Sequence, residues 1–138
     1  MKMRLLFFTL LLSLVLCMPA MAEVKDFDKF TALVPAGWTT DKDDDTVVFM
    51  GPDNSAVITV TVVQNDGTAL EELAKQAAAD LKGTAPEKDD DGYMFTFKND
   101  NGVDGFAVVT GDDKHVALIT VTGEHADVEK ILGSIEDK

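Results

Sequence analysis

The chain has 138 residues, 12 basic and 25 acidic side chains, a formal charge of −13 and one cysteine. That length suits a single domain, 46% apolar with 27% charged residues is ordinary for a chain that folds, and one cysteine excludes a disulfide scaffold. The charge is unevenly placed. Met1 to Ala22 hold no acid, the only arginine (Arg4) and four of the six methionines; from Glu23 onward ten lysines face all 25 acids, which leaves −15. A domain so acidic cannot displace counterions from phosphate as a sequence-independent nucleic-acid binder must. It is equally unsuited to docking on an anionic membrane surface.

At the N-terminus, Lys2 and Arg4 precede an apolar run, Leu5 to Leu16, broken only by Thr9 and Ser13. Ala20-Met21-Ala22 then places small residues at −3 and −1 of a cleavage point before Glu23. This is the three-part pattern of a secretory signal peptide. The run is about a dozen residues, short of the roughly 20 that span a bilayer's hydrocarbon. Leu14-Val15-Leu16-Cys17 also resembles a bacterial lipoprotein box, although Leu16 stands where a small residue is usual. An uncleaved anchor is the third alternative. The expectation is a signal peptide over 1–22 and one thiol-free domain over 23–138, periplasmic or secreted, with no membrane insertion after cleavage.

Along the domain, Phe30 to Val34 reads as a strand stopped by Pro35-Ala36-Gly37, and Thr46 to Met50 as a second, ended by Gly51-Pro52-Asp53-Asn54. Ala56 to Val63 alternates Ile58, Val60 and Val62 with Thr59 and Thr61, a strand pattern closed by Asn65-Asp66-Gly67. Thr68-Ala69-Leu70-Glu71 has the form of a capping box. The helix it predicts carries Leu70, Leu73, Ala74, Ala77 and Leu81 on one stripe, with Gly83 at C′. Three more strands follow: Tyr93 to Lys98, Gly105 to Thr110 and His115 to Thr122, separated by Asn/Asp/Gly turns. Val128, Ile131, Leu132 and Ile135 then predict a closing helix. The order βββ-α-βββ-α with hairpin-length turns implies an α+β domain, a mostly antiparallel sheet of about six strands packed with two helices of 10–15 residues.

The chemistry-bearing residues are few. The serines of the domain are Ser55, in a turn, and Ser134, about 100° outside the apolar arc of the last helix and so expected to face solvent. The histidines, His115 and His125, lie at the two ends of a strand, about 25 Å apart at 3.3 Å per residue. No nucleophile–base signature surrounds either serine, so no enzyme is expected; a hydrolase with an unrecognised site is the third-ranked reading. The acidic runs are the stronger candidates. Asp89, Asp90 and Asp91 with Gly92 imitate the first half of a calcium loop, but position 12 is Lys98 and the following segment reads as strand. Hairpin topology brings the Asp112-Asp113 turn to the same end of the sheet, so that five aspartates crowd one rim beside Lys88 and Lys114. A hard cation such as Ca²⁺ would relieve their repulsion. A solvated rim that aids solubility is the plainer alternative. Trp38, the only tryptophan, either closes the core with its N–H tied to backbone or contacts a ligand or partner. The sets opposite the apolar ones (Thr59, Thr61; Met94, Thr96) predict a sheet surface open to water or lightly covered, a shallow cleft for a peptide or small ligand.

Phe30-x-x-x-Val34-Pro35-x-Gly37-Trp38 resembles the opening of the PsbP-like superfamily, which includes bacterial secreted proteins of the DcrB type. The resemblance continues in the order of elements through Ala56–Val63, the amphipathic helix, the central hairpins and Ile131-Leu132-x-x-Ile135. It implies a compact antiparallel sheet packed against helices, and a binding or assembly role toward an unidentified protein or small ligand. The family's metal ligands have no identifiable counterparts here, so the resemblance transfers no site residue and no cofactor. The expected function is that of a small exported, non-enzymatic binding or accessory protein. A divalent-cation (calcium) binding protein is the alternative.

Overall fold

The computed structural model describes residues 22–90, 92–112 and 114–137. The leader up to Met21, Cys17 included, lies outside those residues, as do Asp91 and Asp113 of the expected acidic rim. The elements are β1 (Glu23–Asp26), β2 (Phe30–Val34), β3 (Thr39–Asp43), β4 (Thr46–Met50), β5 (Ala56–Gln64), α1 (Leu70–Leu81), β6 (Glu87–Asp89), β7 (Gly92–Lys98), β8 (Asp104–Gly111), β9 (His115–Gly123), α2 (Val128–Ser134) and β10 (Glu136–Asp137). The fold is α+β. Seven strands form a sheet in the order β3-β4-β5-β9-β8-β7-β6, and three form a smaller one in the order β1-β2-β10. The pairings are antiparallel throughout the described residues.

The six expected strands are all present. Four more, β1, β3, β6 and β10, are added, and each is an outer strand of its sheet. Among them only the charged stretches Glu-Val-Lys-Asp, Thr-Thr-Asp-Lys-Asp, Glu-Lys-Asp and Glu-Asp occur, with no buried residue. Asp41 to Asp43, charged throughout, is nonetheless strand, the end of β3.

Register decides where the cores sit. Ile58 lies opposite Val121 and Val60 opposite Ile119, whereas Thr59 lies opposite Thr120, which in turn faces Ala107 and Phe95 along the same row. The two apolar sets, Ile58/Val60/Val62 and Phe95/Phe97, are thus on opposite faces of the large sheet. One face packs Val47, Phe49, Ile58, Val60 and Val121 against Phe30, Ala32 and Val34 of the small sheet and Val128 and Ile131 of α2. The other packs Phe95, Ala107 and Val109 beneath Ala74 and Ala78 of α1. Each face is covered over half its width, and the covered halves are diagonally opposed.

Helix ends differ from expectation. Ala69 occupies the N-cap of α1 without a side-chain cap bond, because the Thr68 hydroxyl donates instead to Asp66 Oδ1 at 2.7 Å. At the other end Lys82, not Gly83, takes the left-handed position (φ 56°). Gly83 is required for a different reason. A Cβ there would come within 2.7 Å of both Phe95 Cδ2 and the Thr96 carbonyl, so the missing side chain lets the helix exit lie flat on β7. The closing helix is shorter than expected at seven residues, since Ile135 is already extended and leads into β10.

Candidate functional site

A groove of about 540 Å³ lies where three turns meet, at the end of the sheet expected to carry the acidic rim. The chain reverses between Asp89 and Gly92, which are cross-strand partners, so the calcium-loop-like run is a tight β6–β7 hairpin. Gly92 sits inside β7, where any Cβ would collide with the Val109 carbonyl oxygen; it serves strand approach, not the sixth position of a metal loop. On the adjacent hairpin, Asp112 Oδ1 accepts the N–H groups of Lys114 and His115 at 2.8 and 2.9 Å. These bonds, that of His115 foremost, hold its carboxyl below the ordinary carboxylate value. Asn65 fastens the β5–α1 link onto this turn by donating to the carbonyls of Thr68 and Asp112 at 2.9 and 3.0 Å. In this way Glu71, Asp90 and Asp112 line one groove, with Lys88, Tyr93 and the first turn of α1 as the remaining wall.

Of the five aspartates expected on the rim, Asp90 and Asp112 share the groove and Asp89 ends β6, its Oδ1 accepting the Asp90 N–H at 2.9 Å. Asp91 and Asp113 lie outside the described residues. Among the described residues no three acids, histidines or cysteines are gathered as metal ligands.

Trp38 follows a tight turn in which its N–H donates to the Pro35 carbonyl at 3.1 Å and Gly37 supplies the positive φ of 87°. Its indole is 6% exposed, within the main core. The ring N–H is tied not to backbone, as expected, but to Asp127 Oδ2 at 3.2 Å. His125 stands edge-on to the indole at 5.3 Å, and its Nδ1 accepts the Asp127 N–H at 3.0 Å. This cluster joins the β2–β3 link to the start of α2.

The serines are placed differently from expectation. Ser134 is half-buried, donating to the Ile131 carbonyl at 2.6 Å and accepting the Leu33 N–H at 2.8 Å. Its position outside the apolar arc of α2 turns Ser134 not into solvent but toward the backbone of β2 beside the helix. The Ser55 hydroxyl is buried with no partner among the described residues. His115 is exposed at the start of β9, at the opposite end of that strand from His125.

No family model matches this chain, and no curated protein matches it. Its likeness is to solved structures. The solution structure of cyanobacterial PsbP (CyanoP) from Synechocystis sp. PCC 6803 matches with a TM-score of 0.58 and 16% identity, over 86% of this chain and 94% of that one. A protein from Bacteroides thetaiotaomicron VPI-5482 matches with a TM-score of 0.53 and 12% identity, over 86% of this chain. The chain spans about half the length of the Bacteroides protein, 48% of it. The fold is PsbP-like. Among the described residues, no helix is long and apolar enough to cross a membrane.

Proposed function

We propose that the protein is a small exported binding or accessory domain that works without catalysis. The observation that carries this reading is the near end-to-end fold match to CyanoP, 86% of one chain on 94% of the other. Shallow surfaces fit such a role, as does a turn-built rim whose acids spend oxygens on their own backbone. The test is fractionation of the source cells with intact-mass measurement, followed by in-cell crosslinking through introduced surface cysteines. Recovery of residues 23–138 from the envelope fluid, crosslinked reproducibly to one partner, is the expected result. Retention of the whole leader in the cytosol would overturn it.

A second reading rests on one specific feature, that Asp90 and Asp112 of the expected rim line the same groove, without three acids gathered there as ligands among the described residues. Here the protein binds a divalent cation such as Ca²⁺. A ligand at 100 times its Kd stabilises the folded state by about 2.7 kcal/mol. A thermal melt in millimolar Ca²⁺ should then run several degrees above one in chelator; coincident melts dispose of this reading.

A further inference from the structure

The half of the large sheet nearest β6 differs chemically from the open half of the opposite face. Register places Met94, Thr96, Phe106 and Val108 on the face whose other half is roofed by the small sheet. Met94, Thr96 and Val108 lie beyond that roof, and Phe106 packs against the edge of the main core beneath it. Met94, Phe106 and Val108 are half-buried, and Val103, 40% exposed, stands at the end of this floor. Two grooves of about 500 and 460 Å³ run over it and share Met94 and Thr96, forming one continuous trough.

The rim of the trough is acidic. Glu87 pairs across the strands with Met94 on the outer strand β6, and Glu124 closes the far end beyond β9. Both are exposed, and neither forms an ion pair among the described residues. Asp104 also lines the trough but is held by Lys98 at 2.6 Å, and Lys88 reaches the outer groove. The open half of the opposite face is unlike this one. Its rows carry threonine pairs, Thr46 with Thr61 and Thr59 with Thr120, joined hydroxyl to hydroxyl.

An apolar floor between unpaired carboxylates selects its occupant by charge. A second copy of this chain would bring the same acids and a net −15 toward its own kind. An anionic lipid surface is repelled for the same reason. We propose that the trough docks a cationic amphipathic segment of a partner protein. Large apolar side chains of that segment lie on Met94, Val103 and Phe106, and its lysines or arginines reach Glu87 and Glu124. This deepens the binding reading and rests on it.

The probe is a fluorophore-labelled peptide of alternating leucine and lysine, read by anisotropy against the chain as isolated from its cells. Glu87→Gln with Glu124→Gln should weaken binding roughly five- to tenfold. Met94→Ser with Val103→Ser, at a half-buried and an exposed position of the floor, should weaken it by a similar factor. Asp41→Asn with Asp43→Asn removes the same charge from the opposite sheet edge and should change the affinity less than twofold. A leucine–glutamate peptide and anionic vesicles should not bind. Equal losses from the two charge-neutralised pairs would show diffuse attraction and overturn the proposal, as would vesicle binding or the absence of saturable peptide binding. If the trough fails in this way while the crosslinked partner maps to another surface, the docking site is wrong and the accessory role stands.

Discussion

Ser134→Ala separates the structural placement of this serine from the one a helical wheel suggests, because the two differ in sign. On an exposed helical position alanine is favoured over serine by up to about 0.5 kcal/mol, so a solvent-facing Ser134 would yield a slightly more stable variant. In the structure the hydroxyl instead takes the Leu33 N–H at 2.8 Å, at a point where β10, whose pairing with β2 covers only Phe30 and Thr31, no longer supplies a carbonyl. Removing it strands a half-buried donor, which costs about 1–2 kcal/mol. The lost bond to the Ile131 carbonyl at 2.6 Å adds little, since a carbonyl at a helix end can turn to water. After the propensity gain, the net is a destabilisation of about 0.5–1.5 kcal/mol, or roughly 3–6 °C of Tm per kcal/mol for a domain of this size. Urea unfolding followed by the fluorescence of Trp38, the only tryptophan, gives the number directly. Ser55→Ala is the internal contrast. Its hydroxyl is buried without a partner among the described residues, so its removal should be neutral or stabilising by up to about 1 kcal/mol. A Ser134→Ala variant as stable as the parent, at an unchanged m-value, would refute the bridge between α2 and β2.

Other substitutions probe other joints. Gly83→Ala should cost about 1–3 kcal/mol in denaturant midpoint because its Cβ meets Phe95 and the Thr96 carbonyl, whereas Gly133→Ala, whose Cβ meets nothing within 4 Å, should stabilise α2 by about 0.5–1 kcal/mol. Trp38→Phe removes the donor to Asp127 Oδ2 and part of the packing beside His125, and should cost about 1–3 kcal/mol in a melt followed by circular dichroism. Asp112 sets a pH dependence. Its carboxyl is held below the ordinary value of 3.8 by the N–H groups of His115 and Lys114, so the folded state binds its proton less readily than the unfolded state. Its contribution is therefore complete above about pH 5 and is lost as pH falls through the lowered value. The stability gap between the parent and Asp112→Ala should accordingly narrow between pH 5 and pH 2 in urea titrations; a constant gap would contradict the assignment.

How much of this was legible in the sequence depended on what each residue reports. Strands with one buried face announce themselves, so β2, β4, β5, β7, β8 and β9 were recoverable from the alternation of Ile58-Thr59-Val60-Thr61-Val62 and its like. The division into two cores was not, because alternation fixes which residues share a face of one strand but not which face that is in the sheet. Only the register, Thr59 to Thr120 to Ala107 to Phe95, shows that Ile58 and Phe95 point opposite ways. The shared end of the sheet for Asp90 and Asp112 was legible, since hairpin topology alone places both turns there. Local motifs misled where a competing partner lay nearby. Thr68 fits a capping box until Asp66, two residues away, takes its hydroxyl, and Ser134 looks solvated until a backbone N–H from a strand 101 residues earlier is set beside it.

The charge has a structural distribution that explains why the outer strands were missed. Glu23, Asp26, Asp41, Asp43, Glu87, Asp89, Glu136 and Asp137 all lie in β1, β3, β6 and β10, whereas β2, β4, β5, β7 and β9 contain no acid and β8 contains only Asp104. An outer strand with its N–H and C=O groups unpaired is a template for another chain, and short length with charge is a physical guard against that. Such strands bury nothing, so they carry no hydrophobic period and resemble loops when read as sequence. The same arrangement bears on what the domain can bind. A copy of itself meets like charge at every edge, so pairing between identical sheets is disfavoured at each of the four edge strands. A cationic partner meets attraction there and finds a floor of apolar side chains over the trough between Glu87 and Glu124. Charge at the edges therefore brings such a partner to the surface from long range, while the apolar floor decides where on that surface it stays.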